Sequence, residues 1–497
     1  MSTQKKIISI PVLSVEAFDA LPESTRLYIR YLESTVEQLQ ARVQELEDRL
    51  AKNSSNSSKP PTSNGLKSPK TKSLRQSSGK NPGGQEGHAG KGLAQVSNPD
   101  MVVTHTPSNC AGCGSDLSNV SGTTAEQRQV FDIPQPKINV TEHRVEEKQC
   151  PCCGEQTRAS FPENVKGPVQ YGERVRALIA YFSHEHFIPV DRVCEIFKDI
   201  FGVSISPGTC ANVDKQLYAN LEVFESGLKT YLIAAKVLHF DETGMKCEKK
   251  LHWVHVASSQ TATYYMLHAK RGQEAMEAAG ILPHFQGTGV HDHWVPYFAY
   301  NQVKHGLCNA HHLRELTFIY EQKKEDWANR MQDLLVQANL EVEKHAEHGK
   351  LPPEIIMQIE QTYSQILEEG FAHHSFLPPL PVPEEKKRGR QKQREGKNLL
   401  NRLKDKRDCV LRFIHDFSVP FTNNQGERDI RMVKLKQKIS GTFRALHSGQ
   451  IFFRARSYIS TARKQGWNIW DSLADAIRGS PRLLDVAELT TQQQVAI

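Results

Sequence analysis

The stretch Lys236–Gly244, which reads Lys-Val-Leu-His-Phe-Asp-Glu-Thr-Gly, constrains this chain more than any other. Its apolar residues suit a strand that is buried on both faces, and Asp241 and Glu242 follow them directly. Two carboxylates at the end of a buried strand are costly unless a cation or a proton neutralises them. The stretch therefore predicts a strand that carries an acidic pair into a site where further carboxylates converge.

Two downstream carboxylates are candidates for the same site. Asp292 follows a short apolar approach, and Glu427 opens a long basic segment that is compatible with a helix. Three carboxylates from separate elements can hold two Mg²⁺ ions, or Mn²⁺ in their place. We predict that Asp241, Asp292 and Glu427 are catalytic metal ligands. The alternative for an isolated Asp at a strand end is a turn former or a helix cap.

Residues 235–478 show the element order of a ribonuclease-H-like catalytic domain. Strands are expected at 237–240, 251–257, 262–266, 289–292 and 303–307, with a helix at 273–279. In that order the first and fourth strands are neighbours, which would bring Asp241 and Asp292 together. Residues from about 317 to 417 are interpreted as a helical insertion, and residues 479–497 as a C-terminal tail.

A heptad repeat occupies residues 22–51. Its a positions are Ile29, Val36, Val43 and Leu50, and its d positions are Leu32, Leu39 and Leu46. The repeat predicts a short parallel coiled coil and thus a homo-oligomer. The alternative is an amphipathic helix that packs on its own domain.

Residues 52–100 are predicted to be a flexible basic linker. Residues 52–91 contain seven lysines and one arginine against a single glutamate, and a second basic block runs from Lys386 to Arg407. The net charge of +7 is thus unevenly distributed. Such blocks indicate a polyanion partner, most simply nucleic acid, and a solvated linker is the alternative.

Two CxxC pairs lie within residues 101–165. Cys110, Cys113, Cys150 and Cys153 could together hold one structural Zn²⁺, with Cys152 left over. A glycine directly follows each pair, which suits the tight turn of a zinc knuckle. Reactive thiols are the alternative.

Residues 168–228 are predicted to be a helix-turn-helix region. Helices are expected at 173–182, 190–201 and 207–225, with Ser206 as the cap and Pro207 as the first residue of a DNA-reading helix. A plain helical core segment is the alternative. The whole chain is therefore predicted to be a multidomain α+β protein, with coiled coil, zinc ribbon and helix-turn-helix ahead of the catalytic domain.

The chain has no stretch that is long and apolar enough to cross a membrane, so no membrane partner is expected. Residues 7–15 are too short for a signal peptide and are interrupted by Pro11. We expect a cytoplasmic, nucleoid-associated protein whose cysteines are free or metal-bound.

Several motifs occur together in one order. They are the heptad, the Asn-Ser-Ser-Asn-Ser-Ser-Lys-Pro-Pro tether, the Gly-Gly-Gln-Glu-Gly-His block, the double CxxC, His239-Phe-Asp-Glu-Thr243, Cys308-x-x-His311 and Asn423-Asn-Gln-Gly-Glu427-Arg428. Each motif alone is weak, but this order across nearly the whole chain is specific. The chain resembles the transposase of the bacterial insertion-sequence family sixty-six.

The resemblance implies a DDE-type transposase that binds element ends and catalyses Mg²⁺-dependent strand cleavage and strand transfer. Asp241, Asp292 and Glu427 match its triad. Its partners would be DNA, as terminal inverted repeats and target, and companion proteins encoded beside it. Thr422 stands where many relatives have Asp, which puts a helper role there in doubt, and His293–Trp294 replaces a common Gly-Tyr pair.

Two further pairs of residues lie near the expected site. Arg428 and Lys434 are candidates for phosphate contact, with surface solvation as the alternative. Cys308 and His311 are expected to form a structural pair rather than a catalytic one, because Mg²⁺ disfavours thiolate. Two rival functions stay open: a metal-dependent nuclease without strand transfer, and a non-catalytic, domesticated DNA-binding protein.

Overall fold

The computed structural model describes residues 14–57, 92–378, 380 and 393–485. These residues fall into two units: the larger is drawn from 1–71, 162–194 and 205–497, and the smaller from 72–161 and 195–204. The fold is mixed α+β, with a mixed five-stranded sheet in the larger unit. Most of the predicted linker, and the predicted tail beyond residue 485, lie outside the described residues. No described helix has the length and apolar character needed to span a membrane.

The larger unit begins with two helices, α1 (Val15–Asp19) and α2 (Glu23–Ala51). Helix α2 contains the heptad repeat, and most of its a and d residues are exposed, including Leu39 and Leu46 at 59% and 42%. Its C-terminal end is anchored: Ala51 packs on a buried helical cluster, and Lys52 pairs with Glu395.

The smaller unit contains a two-stranded antiparallel sheet, β1 (Glu147–Gln149) and β2 (Gln156–Arg158). The second CxxC lies in the loop between these strands. The first CxxC lies in a matching loop that an isolated bridge between Asn109 and Asp116 closes.

Four helices follow the cysteine-rich region: α3 (Glu173–Ala180), α4 (Val190–Phe201), α5 (Pro207–Asn220) and α6 (Glu222–Ile233). The cap prediction is confirmed, because the Ser206 hydroxyl accepts a hydrogen bond from the backbone N–H of Thr209 at 3.1 Å. The single helix predicted for 207–225 is wrong. It breaks at Leu221, which is fully buried, while the amide of Asn220 donates to the Ala476 and Ile477 carbonyls.

The sheet has the order β5-β4-β3-β6-β7. Its strands, with the helix α7 between the third and fourth, are β3 (Val237–Cys247), β4 (Lys250–Ser258), β5 (Thr263–His268), α7 (Gln273–Ala279), β6 (Thr288–His291) and β7 (Lys304–Leu307). Strands β3, β4 and β5 pair antiparallel, whereas β6 lies parallel to both β3 and β7. The prediction that the first and fourth strands are neighbours is confirmed.

The prediction that the first strand ends at the acidic pair is wrong. Strand β3 continues through Asp241 and Glu242 to Cys247, because β4 pairs with it along that whole length. The two-residue turn Glu248–Lys249 closes this hairpin with positive φ angles of 53° and 63°. On the other edge, β6 pairs only as far as His239, so the carboxylates lie where one neighbouring strand has stopped.

The rest of the larger unit is helical. Its helices are α8 (Asn309–Phe318), α9 (Asp326–Lys344), α10 (Pro353–Phe376), α11 (Glu395–Asp405), α12 (Arg407–Val410), α13 (Arg412–His415), α14 (Asn424–Ser440), α15 (Leu446–Lys464) and α16 (Ile469–Arg478). Helices α8 to α13 share a core of their own around Trp327, Tyr363 and Leu400. Helices α14 and α15 pack on the antiparallel part of the sheet. Gly449 allows this, since a Cβ there would lie 2.4 Å from Leu267.

Candidate active site

The register of the parallel strands directs Asp241 and Asp292 towards each other. Strand β3 pairs with β6 so that Val237 faces Thr288 and His239 faces Val290, where the pairing ends. The same register, if continued by two residues, would place Asp241 opposite Asp292. Adjacent strands lie about 4.8 Å apart, and residues opposite each other point to the same face.

Glu427 reaches the same region from the first turn of α14. Burial raises the pKa of Asp241 well above its ordinary value, and the charges of Glu242, Glu427 and Asp292 raise it further. Burial also raises the pKa of Asp292. Glu427 and Asp292 therefore lie near enough to Asp241 for their charges to raise its pKa, but the three carboxylates do not place one oxygen each within 4.8 Å of one another.

Asn423 ties together the elements that carry this cluster. Its buried amide accepts a hydrogen bond from His239 Nδ1 and donates one to the Phe240 carbonyl, both at 2.8 Å. Its backbone N–H donates to Cys308 Sγ at 3.1 Å, and its carbonyl accepts from the N–H of Glu427. One side chain thus fixes the start of α14 against β3, two residues from Asp241.

Glu242 is held by partners of its own. Arg271 donates two hydrogen bonds to its Oε1 at 2.9 and 2.7 Å, and the Tyr297 hydroxyl donates to its Oε2 at 2.6 Å. The guanidinium lies over the rings of Trp253 and Trp294, at 4.9 and 4.1 Å from their centroids. Burial and the charge of Asp292 raise the pKa of Glu242, and the Tyr297 and Arg271 contacts oppose that rise.

Asp292 has little support from its own segment. Its Oδ1 accepts one hydrogen bond, from the backbone N–H of Trp294 at 2.9 Å. The neighbouring His291 points elsewhere: it is buried, it contacts His305 Nδ1 at 2.9 Å, and burial lowers its pKa to about 3. His291 is therefore a neutral core residue rather than a proton carrier.

Cys308 and His311 lie against Glu427. Cys308 caps α8 and His311 lies in its first turn, and whether the pair has only a structural role stays a prediction. The Cys308 sulfur, a His311 ring nitrogen and a Glu427 oxygen all lie within 4.8 Å of one another.

The cysteine loops of the smaller unit repeat one geometry. In each loop the glycine after the second cysteine adopts positive φ, 76° at Gly114 and 75° at Gly154, and donates its N–H to the first cysteine's carbonyl at 2.9 Å. The residue before the first cysteine donates its side-chain amide to that glycine's carbonyl, from Asn109 and from Gln149. The predicted tight turns are confirmed.

The four predicted zinc ligands form two separate pairs. No three of their sulfurs lie mutually within 4.8 Å, a condition that only the Cys308 cluster meets among the described residues. Hydrogen bonds from Ser115 and Cys110 lower the pKa of Cys113 to about 7, and hydrogen bonds from Cys153 and Cys152 lower that of Cys150. Thiols with lowered pKa values suit a soft cation, which binds the thiolate form.

The comparisons with known proteins cover most of the chain. The transposase IS66 family matches residues 168–451, more than half of the 497 residues. This chain belongs to the IS66 transposase family. The zinc-finger binding domain of transposase IS66 matches residues 107–154, and a family of unknown function matches residues 14–94. No curated protein matches the chain.

The matches of this transposase enclose the residues of both sites. The family match contains Asp241, Asp292 and Glu427, and the zinc-finger match contains all four knuckle cysteines. Partly buried carboxylate oxygens suit a hard divalent cation such as Mg²⁺, and sets of cysteine thiols suit Zn²⁺. The two donor sets therefore fit different metals.

The predicted phosphate contacts of this transposase differ from each other. Arg428 is exposed on α14, one residue after Glu427. Lys434 is also exposed, but its ammonium donates to the Gly244 carbonyl at 2.6 Å, and partial burial lowers its pKa. Lys434 therefore links α14 to β3 whether or not it meets a phosphate.

Sequence reasoning missed the residues that position the carboxylates of this transposase. Arg271 lies in the loop before α7, and Tyr297 lies in the turn after Asp292. No spacing rule marks either one. Asn423 begins the motif Asn423-Asn-Gln-Gly-Glu427-Arg428. An asparagine at a helix start, four residues before a candidate ligand, is the signal that could have indicated its role.

Proposed function

We propose that this transposase cuts and joins DNA strands at Asp241, Asp292 and Glu427, within a ribonuclease-H-like domain of residues 235–478 that carries a helical insertion at about 317–417. The observation that carries the proposal is the parallel pairing of β3 with β6, whose register would set Asp241 opposite Asp292 if continued, together with the charge of Glu427, which raises the pKa of Asp241. Carboxylates that repel one another in a partly buried site are stabilised by bound cations.

The proposed ligands have different supports. Asp241 is fixed by the hairpin of β3 and β4, and Asp292 by the end of β6. Glu427 is fixed by the hydrogen bonds that Asn423 makes between α14 and β3. Two Mg²⁺ ions, when bound, would activate the attacking hydroxyl and stabilise the leaving oxygen of a phosphoryl transfer. Arg271 and Tyr297 hold both carboxylate oxygens of Glu242, which is not proposed as a ligand.

We assign DNA contact to three parts of the chain. Arg428 lies beside the proposed site, and Lys434 lies two turns further along the same helix. Helix α5, within the proposed helix-turn-helix region 168–228, buries Cys210, Val213 and Leu217 and exposes a stripe that includes Asn212 and Lys215. This supports both interpretations of the region, since one face packs in the core and the other is available to DNA. The basic linker, 52–100, would add non-specific phosphate contacts.

Zinc and assembly complete the proposal. Cys110, Cys113, Cys150 and Cys153 would hold one Zn²⁺ in a ribbon within 101–165, with the metal drawing the two loops together.

The exposed heptad face of α2, within 22–51, would pair with that of a second copy, because a long helix with an exposed apolar stripe gains most from such pairing. Companion proteins and the terminal inverted repeats remain expected partners.

Cleavage and joining assays on DNA that carries the element's ends test the catalytic proposal. Asp241→Asn, Asp292→Asn and Glu427→Gln should each abolish Mg²⁺-dependent cleavage while end binding persists. Glu274→Gln, an exposed change on α7, is the matched control. Cleavage that persists in any of the three variants removes that residue from the site. Cleavage without joining in the unmodified protein would favour the nuclease alternative.

A further inference from the structure

A second set of metal-binding side chains meets Glu427 on the side of α8. Cys308 comes directly after β7, His311 lies three residues on, and Glu427 faces them from α14. Their sulfur, nitrogen and oxygen atoms lie within 4.8 Å of one another. This set differs from the Asp241–Asp292 pair in kind, because it combines a thiol, an imidazole and one carboxylate.

The polar atoms of this cluster do not satisfy one another. His311 Nδ1 and Glu427 Oε1 are both buried and have no hydrogen-bond partner among the described residues. A buried polar atom without a partner costs roughly 1–3 kcal/mol. Two such atoms next to a thiol form an arrangement that the fold alone does not explain.

Cys308 is enclosed by the protein. It is 1% exposed, and its sulfur receives one hydrogen bond, from the backbone N–H of Asn423. A cation that binds a thiol displaces the thiol proton, which soft divalent metals do and Mg²⁺ does not.

We propose that Cys308, His311 and Glu427 bind Zn²⁺ at a site separate from the cysteine knuckles. Thiolate, imidazole and carboxylate are all ordinary zinc ligands, and three protein ligands leave one position for water. Binding releases the Cys308 proton to solvent and gives Glu427 Oε1 a partner. A protein in which this site is filled holds one more zinc than its knuckles account for.

A consequence of this site rests on the proposed catalytic function. Glu427 is shared, and a carboxylate drawn to Zn²⁺ between Cys308 and His311 is less available beside Asp241. Zinc should therefore inhibit Mg²⁺-dependent cleavage. The thiol ligand makes the inhibition selective for soft metals.

Metal binding by the full-length protein tests the site without reference to activity. The unmodified protein, Cys308→Ser and His311→Gln are loaded with Zn²⁺, dialysed and measured by elemental analysis. Each variant should hold about one zinc fewer per chain than the unmodified protein, because each loses a protein ligand. Cys247→Ser, a change at a buried cysteine at the far end of β3, is the matched control and should lose none.

Cobalt substitution provides the second readout. Co²⁺ bound to thiolate absorbs in the near ultraviolet, and Cys308→Ser should lose part of this band while the knuckle part remains. Circular dichroism confirms that the variants are folded, and His311→Gln preserves the test if Cys308→Ser is not. Equal zinc content and equal cobalt absorption in all four proteins would overturn the site.

Measuring how zinc inhibits Mg²⁺-dependent cleavage tests the sharing of Glu427 independently of the catalytic proposal. The zinc concentration that halves cleavage should rise about tenfold or more in Cys308→Ser, as expected for loss of one metal ligand. Unchanged zinc sensitivity in that variant would overturn the sharing of Glu427. Failure of the unmodified protein to cleave would count against the catalytic proposal alone, because the binding measurements do not depend on it.

Discussion

The carboxylate cluster and the cysteine loops are built in opposite ways. Asp241, Asp292 and Glu427 come from three elements more than fifty residues apart and are fixed by a sheet register and a buried asparagine. The knuckle cysteines come from two short loops whose geometry is local, and their pairs lie apart. We expect that in the first region the fold itself positions the ligands, and that in the second a metal completes the site. The two regions should therefore respond in opposite senses to loss of their ligands.

The largest expected effect is on catalysis. Asp241→Asn should lower cleavage at least about 10³-fold, because a bound metal contributes several kcal/mol to the transition state. The same change should raise the melting temperature of the metal-free protein by a few degrees, since it removes a carboxylate that its neighbours repel. Thermal unfolding in chelator, with and without Mg²⁺, checks this. A variant that unfolds at a lower temperature would show that Asp241 stabilises the fold instead.

The second effect is the loss of the smaller unit. Cys113→Ser should lower zinc content by about one ion per chain and unfold residues 101–165 locally, because small zinc domains take their folding energy from the metal. Limited proteolysis should then cut within that region and leave the sheet intact. Cys152→Ser, at the surplus cysteine between the second pair, is the control and should keep zinc. Resistance to protease in Cys113→Ser would mean that the local hydrogen bonds suffice.

The third effect concerns Asn423, whose hydrogen bonds connect α14 to β3. Asn423→Ala should reduce cleavage about 10- to 100-fold, as removal of a residue that orients metal ligands typically does. It also leaves His239 Nδ1 and the Phe240 carbonyl without their partner, so stability should fall. Asn424→Ala, an exposed neighbour, should do neither. Activity assays and denaturant titrations on the pair of variants distinguish the two outcomes.

The smallest effect is one of pH. The raised pKa values of Asp241 and Asp292 mean that the folded protein holds protons that the unfolded chain releases. Metal-free stability should therefore rise as pH falls through those raised pKa values and level off below the ordinary aspartate pKa, and apparent Mg²⁺ affinity should rise with pH as the metal displaces protons. Calorimetry in two buffers of different ionisation enthalpy measures the protons released. Asp292→Asn should reduce that number, whereas Glu274→Gln should not.

The sequence predicted the parts of each region that depend on residue type and local spacing. The strands, the knuckle glycines and the Ser206 cap follow from patterns a few residues long, and the pairing of the first strand with the fourth followed from the element order. The continuation of β3 beyond Asp241 and Glu242 could not be predicted from the sequence. Pairing with β4, rather than a run of apolar residues, holds that part of the strand. Arg271 and Tyr297 could not be predicted, since their partner Glu242 is 29 and 55 residues away.

The anchored end of α2 links two parts of the chain that the sequence places far apart. Ala51 sits in the core of the helices around Trp327, Lys52 pairs with Glu395, and Lys323 Nζ lies 2.5 Å from Asp48 Oδ2. If two copies form a coiled coil along α2, the coil would be fixed to the helical insertion of each copy by these contacts rather than joined to it through a flexible linker. The length of the coil would then set the distance between the two active sites.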